Sequence, residues 1–212
     1  MDLFSRVNDD ASYKPLAERM RPQTLADFAG QTEILRGALG KMIVAGQVPS
    51  LIFFGAPGTG KTTLAKIIAN TTASEFVKVN AALSGISELR GIVKEAQERR
   101  KFYGKRTILF IDEIHRFNKG QQDFLLPYVE DGRLTLIGAT TENPFFEINA
   151  ALLSRVKIVR LSKLTSSDIK KILSRAVDVE KFSVEERALE IIADFADGDA
   201  RMALNLLEQA AF

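Results

Sequence analysis

The feature that most constrains this chain is the octapeptide Gly55-Ala56-Pro57-Gly58-Thr59-Gly60-Lys61-Thr62. It fits the pattern G-x-x-x-x-G-K-[ST] in full. An apolar run, Leu51–Phe54, leads into it, and a stretch of helical character, Thr62-Thr63-Leu64-Ala65-Lys66-Ile67-Ile68, leads out. Glycines let the backbone curl so that successive N–H groups converge on anionic oxygens. The start of the following helix adds its partial positive charge. Residues 55–63 are therefore expected to cradle phosphates: Gly55, Ala56, Pro57, Gly58, Thr59, Gly60, Lys61, Thr62 and Thr63. Lys61 would reach the β- and γ-phosphates of a nucleotide, and the Thr62 hydroxyl would ligate Mg²⁺. A glycine-rich turn that matched by chance would not have a strand and a helix in register on either side.

Beyond this loop the chain alternates short apolar runs with longer periodic stretches. Leu51–Phe54, Phe76–Val79, Thr107–Ile111, Leu134–Ala139 and Ile158–Leu161 read as strands rich enough in apolar residues to be buried on both faces. Lys61–Thr71, Ser87–Arg99 and Lys119–Val129 read as the helices between them. This alternation predicts an α/β fold: a P-loop NTPase with a five-stranded parallel sheet flanked by helices. After Leu161 the strand signals stop. Three helical stretches follow: one from Ser166 to about Ala176, one opened by Ser183-Val184-Glu185-Glu186 as a capping box, and one beginning near Asp199. Apolar residues at 184, 188, 191, 192 and 195 mark the second, and Gly198 is its expected stop. The expected organisation is a flexible arm over 1–14, the α/β domain over 15–162 and a small all-helical lid domain over 163–212.

The run Ile108–Ile111 ends in Asp112-Glu113, so a buried strand would deliver two carboxylates to the C-terminal edge of the sheet, where open α/β sheets bind ligands. Asp112 is expected to hold Mg²⁺, through water. Glu113 is expected to orient or deprotonate an attacking water. Taken alone, the pair could equally cap the next helix. A guanine-reading N-K-x-D box is missing: Asn118-Lys119-Gly120-Gln121 ends in Gln, which favours ATP over GTP.

Composition adds exclusions. Lys and Arg total 29 against 27 Asp and Glu, so net charge does not argue for nucleic acid. With no cysteine, neither a disulfide framework nor a thiolate metal site is possible. The N-terminus lacks the pattern of a secretory signal, and the apolar runs are too short to span a bilayer. A cytoplasmic protein with no membrane partner is expected.

These motifs together resemble the AAA+ ATPases of the clamp-loader clade, over nearly the whole chain from about Leu16. Pro15-Leu16-Ala17-Glu18-Arg19-Met20-Arg21-Pro22, followed by Phe28-Ala29-Gly30-Gln31, is similar to the segment packed beside adenine in that clade. The resemblance implies further roles. Thr140 or Thr141, in Gly138–Pro144, would be sensor 1 on the γ-phosphate or attacking water. Arg155, after Leu153-Ser154, would be an arginine finger serving a neighbouring subunit. Arg201, in Gly198-Asp199-Ala200-Arg201, would be sensor 2. Within the family, Asp112–Lys119 and Gly138–Pro144 are most similar to the bacterial replication-associated recombination group and the eukaryotic Werner-helicase-interacting ATPases. That likeness implies catalysis by Lys61, Asp112, Glu113, Thr140, Arg155 and Arg201, with ATP and Mg²⁺ as cofactors. It further implies action on single-strand/duplex DNA junctions at stalled forks, association with single-strand-binding protein, a nucleoid location and homo-oligomers. The group carries a further helical tetramerisation portion, so a chain stopping at Phe212 reads as a fragment.

Other residues are read more plainly. Without the family pattern Arg155 is a solvated cation at a helix C-terminus. His115, the sole histidine, is expected to pack or hydrogen-bond. The basic stretch Glu98–Arg106 is expected to be a solvated loop at the sheet end away from the nucleotide. Asn80–Arg90 and its helix, with Arg90 and Lys94, are the better candidates for DNA. The rival functions are a clamp-loader subunit or branch-migration motor, a non-catalytic nucleotide-binding scaffold, and a small-molecule kinase. The intact Lys61 and Glu113 argue against the scaffold.

Overall fold

The computed structural model describes residues 13–211, so the arm expected over 1–14 falls almost entirely outside the described residues. The chain divides into two compact units. The larger, Pro22–Lys163, holds five strands: β1 (Leu51–Phe54), β2 (Glu75–Asn80), β3 (Thr107–Asp112), β4 (Thr135–Thr140) and β5 (Lys157–Arg160). All pair in parallel, in the order β2-β3-β4-β1-β5. This is the five-stranded parallel α/β sheet that the apolar runs predict.

Alternation along the strands sorts side chains to two sides. Ile52, Leu109, Ile111 and Leu136 join one core cluster. Leu51, Phe53, Ile108, Phe110, Ile137 and Ala139 join the other. Helices cover both. Among the described residues the α-helices are α1 (Leu16–Arg19), α2 (Thr32–Arg36), α3 (Ala38–Val44), α4 (Lys61–Thr71), α5 (Ile86–Tyr103), α6 (Lys119–Glu130), α7 (Pro144–Glu147), α8 (Ala150–Leu153), α9 (Ser166–Glu180), α10 (Glu186–Phe195) and α11 (Ala200–Ala210), with one 3-10 turn over Ile114–Arg116. Leu64, Ile67 and Ile68 of α4 seal the second face. Leu89, Val93 and Ala96 of α5, at helical spacing, seal the first with Leu125 and Val129 of α6. The central strands β1, β3 and β4 are buried on both faces and so read as continuous apolar runs; the edge strands β2 and β5 are not, with Lys78, Asn80, Lys157 and Arg160 exposed.

The smaller unit joins residues 13–21 to 164–211. Here Leu16 and Met20 pack with Leu173, Leu189, Leu204 and Leu207. The Leu16 N–H donates to Glu208 Oε1 (2.9 Å), and the Arg19 guanidinium pairs with both Glu180 and Glu208. Residues 15–21 thus fold with the helical unit, not with the α/β domain to which the sequence reading gave them. Their polar pattern hides a single fully buried anchor, Leu16.

Three further expectations are corrected. The basic stretch after Glu98 is mostly helix, because α5 continues to Tyr103 before Gly104 turns left-handed. Its charges are tied locally: Arg100 donates to Gly132 O, Arg106 to Gly46 O, and Lys105 pairs with Glu75. Ser183 forms no capping box; α10 starts at Glu186 after Glu185, which makes no side-chain cap. Phe182 and Val184 instead pack, partly buried, against the helical core. The third correction is the face of α10, which buries Leu189 and Ala193, four residues apart, while Ile191 and Phe195 face out.

Leu16→Ala tests the assignment of α1. A buried Leu→Ala change costs about 2–5 kcal/mol, so the urea midpoint of the helical signal by circular dichroism should fall. A wild-type midpoint would mean that α1 is not part of that unit's core.

Candidate functional site

The register of three strands assembles the site. Phe54 of β1 lies beside Thr140 of β4, and Ile111 of β3 lies beside Gly138. The loop after β1, the end of β3 and the end of β4 therefore share one sheet edge. β1 and β3 are two strand spacings apart, about 10 Å, which leaves room for phosphate and a hydrated cation between the loop and Asp112. The Gly55 N–H donates to Thr140 O (3.2 Å), so the loop is bonded to β4 at its first residue.

The loop is built for close approach. A Cβ on Gly55 would stand 2.3 Å from the Leu161 carbonyl oxygen. Gly60 has φ +97°, and a Cβ there would meet the Phe28 ring at 2.6 Å. Thr59, 1% exposed, donates from Oγ1 to Ala56 O (2.9 Å) and fixes the turn. Lys61 Nζ curls back to Gly55 O (2.6 Å) and Ala56 O (2.8 Å), so the ammonium sits inside the loop. Helix α4 starts at Lys61 with no side-chain cap from Gly60. Its first-turn N–H groups suit an anion. The segment with Phe28 is pinned by Gln31, whose side chain donates to Ser162 O (2.7 Å) and accepts from Ser162 N (3.0 Å).

Asp112 ends β3, and Glu113 follows with φ 54° and ψ 46°. A left-handed non-glycine residue costs about 1–2 kcal/mol, so the surrounding turn must hold it. Neither acid's side chain caps a helix: Glu113 is the N-cap of the 3-10 turn Ile114–Arg116 but makes no side-chain bond to it. Asn118 and Gln121 form the capping box of α6, which also explains why Asn118–Gln121 resembles a guanine box without being one. Asp112 Oδ2 lies 3.0 Å from Lys78 Nζ. That lysine is half exposed, and such pairs contribute about 0–1 kcal/mol. The pair is weak enough to yield to a divalent cation. Among the described residues no cluster of three or more His, Asp or Glu forms a cation cage. One carboxylate and one hydroxyl, Asp112 and Thr62, fit Mg²⁺, which keeps waters and takes the rest of its shell from phosphates.

Thr140 is fully buried, and its hydroxyl accepts from Glu142 N (2.9 Å). His115 Nδ1 stands 3.0 Å from that hydroxyl and 3.4 Å from Glu113 Oε2. The sequence reading left His115 outside the site. Its contact with Thr140 depends on strand register, which the residue's own neighbours do not reveal.

Two expected residues belong to other elements. Arg155 precedes β5, at the opposite edge of the sheet, and pairs with Glu130 (3.1 Å) while donating to Ala151 O (2.8 Å). Arg201 belongs to the helical unit, in the first turn of α11, which Asp199 caps through the Arg201 and Met202 N–H groups. Among the described residues no helix is long and apolar enough to cross a membrane.

Comparison with known proteins matches residues 51–164 to the ATPase family associated with various cellular activities (AAA), and residues 171–212 to the RCF1/5-like AAA+ ATPase lid domain. Replication-associated recombination protein A of Haemophilus influenzae is 46% identical over 92% of this chain and 46% of its own length. The Escherichia coli K12 protein of that name is 44% identical over 95% and 47%. ATPase WRNIP1 of Dictyostelium discoideum is 44% identical over 94% and 24%. The chain thus spans about half the length, or less, of these relatives. Among solved structures, the RuvB Holliday junction branch migration motor of Thermotoga maritima superposes with a TM-score of 0.76 at 31% identity, covering 89% of this chain and 64% of that one.

Gly60→Ala should remove the cradle. It imposes a strained φ, worth about 1–3 kcal/mol, and a clash with Phe28. Thermal stability should drop, and affinity for a fluorescent nucleoside triphosphate should fall at least about tenfold. Unchanged affinity in a folded variant would show that the loop does not hold phosphate.

Proposed function

This chain belongs to the AAA family of ATPases, and from that premise we propose that it binds Mg·ATP at Gly55–Thr63 and hydrolyses it to act on DNA in replication-associated recombination and repair. The observation that carries the proposal is the gathering, at one sheet edge, of the phosphate loop, Asp112, Glu113 and the buried Thr140.

In this reading the Lys61 ammonium leaves the Gly55 and Ala56 carbonyls for the β- and γ-phosphates. Thr62 and Asp112 hold Mg²⁺. When bound, Mg²⁺ neutralises charge on the phosphate oxygens. Glu113 orients the attacking water and accepts its proton. Thr140, or Thr141, donates to the γ-phosphate or to that water. Arg155 serves the site of a second copy, since its own loop lies beyond the far edge of the sheet. Arg201 is the second γ-phosphate sensor, an assignment that rests on the Gly198–Arg201 resemblance. The relatives' names favour DNA as the substrate, and the family resemblance adds single-strand-binding protein, homo-oligomers and a nucleoid location. The RuvB likeness favours one second reading, a branch-migration motor. Turnover stimulated by a four-way junction and not by a fork would select it.

The test is ATP turnover against protein concentration, with and without forked DNA. Glu113→Gln should bind ATP and lose turnover by about 10²–10⁴-fold. Arg155→Ala should lose about 10³-fold or more and leave binding intact. Turnover that is first order in protein and indifferent to Arg155 would rule out the shared site. Binding without turnover in the wild-type chain, and in a longer one, would mean a nucleotide-binding scaffold.

A further inference from the structure

The groups around His115 favour one arrangement of protons, because the alternative sets two acceptors against each other. Thr140 has one O–H to donate and two lone pairs to offer. One lone pair takes the Glu142 N–H (2.9 Å), and the hydroxyl proton has Glu142 O as an acceptor at 3.3 Å. The second lone pair then faces His115 Nδ1 at 3.0 Å. Were Nδ1 unprotonated, its lone pair would stand 3.4 Å from a Glu113 carboxylate oxygen, acceptor against acceptor. With the proton on Nδ1, the N–H donates to the hydroxyl at 3.0 Å and turns its positive end toward the carboxylate oxygen 3.4 Å away, an electrostatic contact and not a second hydrogen bond.

The backbone is shaped to put the ring there. Glu113 takes its left-handed conformation to start a tight turn, with Arg116 N bonded to Glu113 O (2.9 Å) and Phe117 N to Ile114 O (3.0 Å). Ile114, fully buried, packs into the space left by Gly138, where a Cβ would lie 2.7 Å from its Cδ1. That contact seats the turn on β4 two residues before Thr140. His115, on the turn, is thereby aimed along β4 at the threonine.

We infer that His115 is a positioning residue: its Nδ1–H ties the Glu113 carboxylate to the Thr140 hydroxyl, and through the Thr140 carbonyl to the Gly55 N–H of the phosphate loop. The inference rests on Glu113 being the water-orienting base. A carboxylate on a half-buried, left-handed residue has rotamers that point elsewhere, and the histidine N–H selects one of them. Partners that orient a functional group in this way typically contribute about 10–100-fold in activity.

Side-chain replacement separates this role from packing. Asn places its amide N–H where Nδ1–H stood, Gln reaches instead to the Nε2 position, and Leu keeps bulk alone. His115→Leu and His115→Gln should lower kcat about 10–100-fold with ATP affinity within about twofold, and His115→Asn should restore most of it. In a Glu113→Gln background the same changes should have no further effect. Equal losses in all three variants, or none, would overturn the inference while leaving Glu113 as the base. The chain has a single histidine, so its imidazole ¹⁵N–¹H spectrum at alkaline pH reads the tautomer without assignment and without turnover. A proton on Nδ1, lost to the Nε2 tautomer in Glu113→Ala with Thr140→Val, is the expected result. An Nε2–H tautomer in the wild type would refute it even if no condition supported hydrolysis.

Discussion

The hydrogen bond from the Gly55 N–H to the Thr140 carbonyl is the joint on which the site depends. It closes the last rung of the β1–β4 ladder at the point where β1 gives way to the phosphate loop. β4 in turn carries β3 on its other side. A parallel ladder fixes the position of its strands along their length, since a slip of one residue would turn every buried side chain to the wrong face. The offset between Asp112 and Lys61 is therefore held by the core residues Ile52, Ile108, Phe110 and Ile137 together with that edge bond. On the proposed reading, hydrophobic registration is what brings the site residues together.

Burial is graded across that edge to match the work proposed for each group. Thr140 is wholly buried and Thr59 nearly so, while Asp112 and Glu113 keep about a quarter to two fifths of their side chains in solvent. The buried groups are neutral and satisfied, so they cost little to desolvate. The charged ones stay where water and a hydrated cation can reach them, since a buried carboxylate without a partner would cost far more. Lys78 is the only cation joined to Asp112 among the described ion pairs, and its half exposure keeps that pair weak.

The sequence carried the sheet, the loop and the two acids because each rests on local signals: four or five consecutive apolar residues, a glycine pattern, carboxylates after a buried run. β1 and α4 fall where the apolar run and the helical pattern predict. What depends on distant partners was illegible. Leu16 belongs to the helical unit through residues more than 140 positions away. Ser183 has the composition of a cap, but α10 starts at Glu186 and the neighbouring Phe182 and Val184 pack against the helical core. His115 meets Thr140 across 25 positions, and only the β3–β4 register reveals it. Residues 32–44 form α2 and α3, which no strong periodicity announces.

Arg155 shows how the same sheet divides its labour. Four residues of β5 cover about 13 Å at about 3.3 Å each, and Arg155 starts from the end where β5 begins, turned onto Glu130 at the close of α6. The phosphate loop leaves the other end. No side-chain rotation brings this guanidinium to its own loop, so on the proposed reading its phosphate must belong to another copy. The ion pair with Glu130 is solvent-exposed and contributes at most about 1 kcal/mol, so a phosphoryl group could draw the guanidinium away at small cost. The two edges of one sheet would then be the two halves of a site: one binds and positions the nucleotide, the other supplies charge to a neighbour. Hydrolysis would follow assembly because neither edge is sufficient alone.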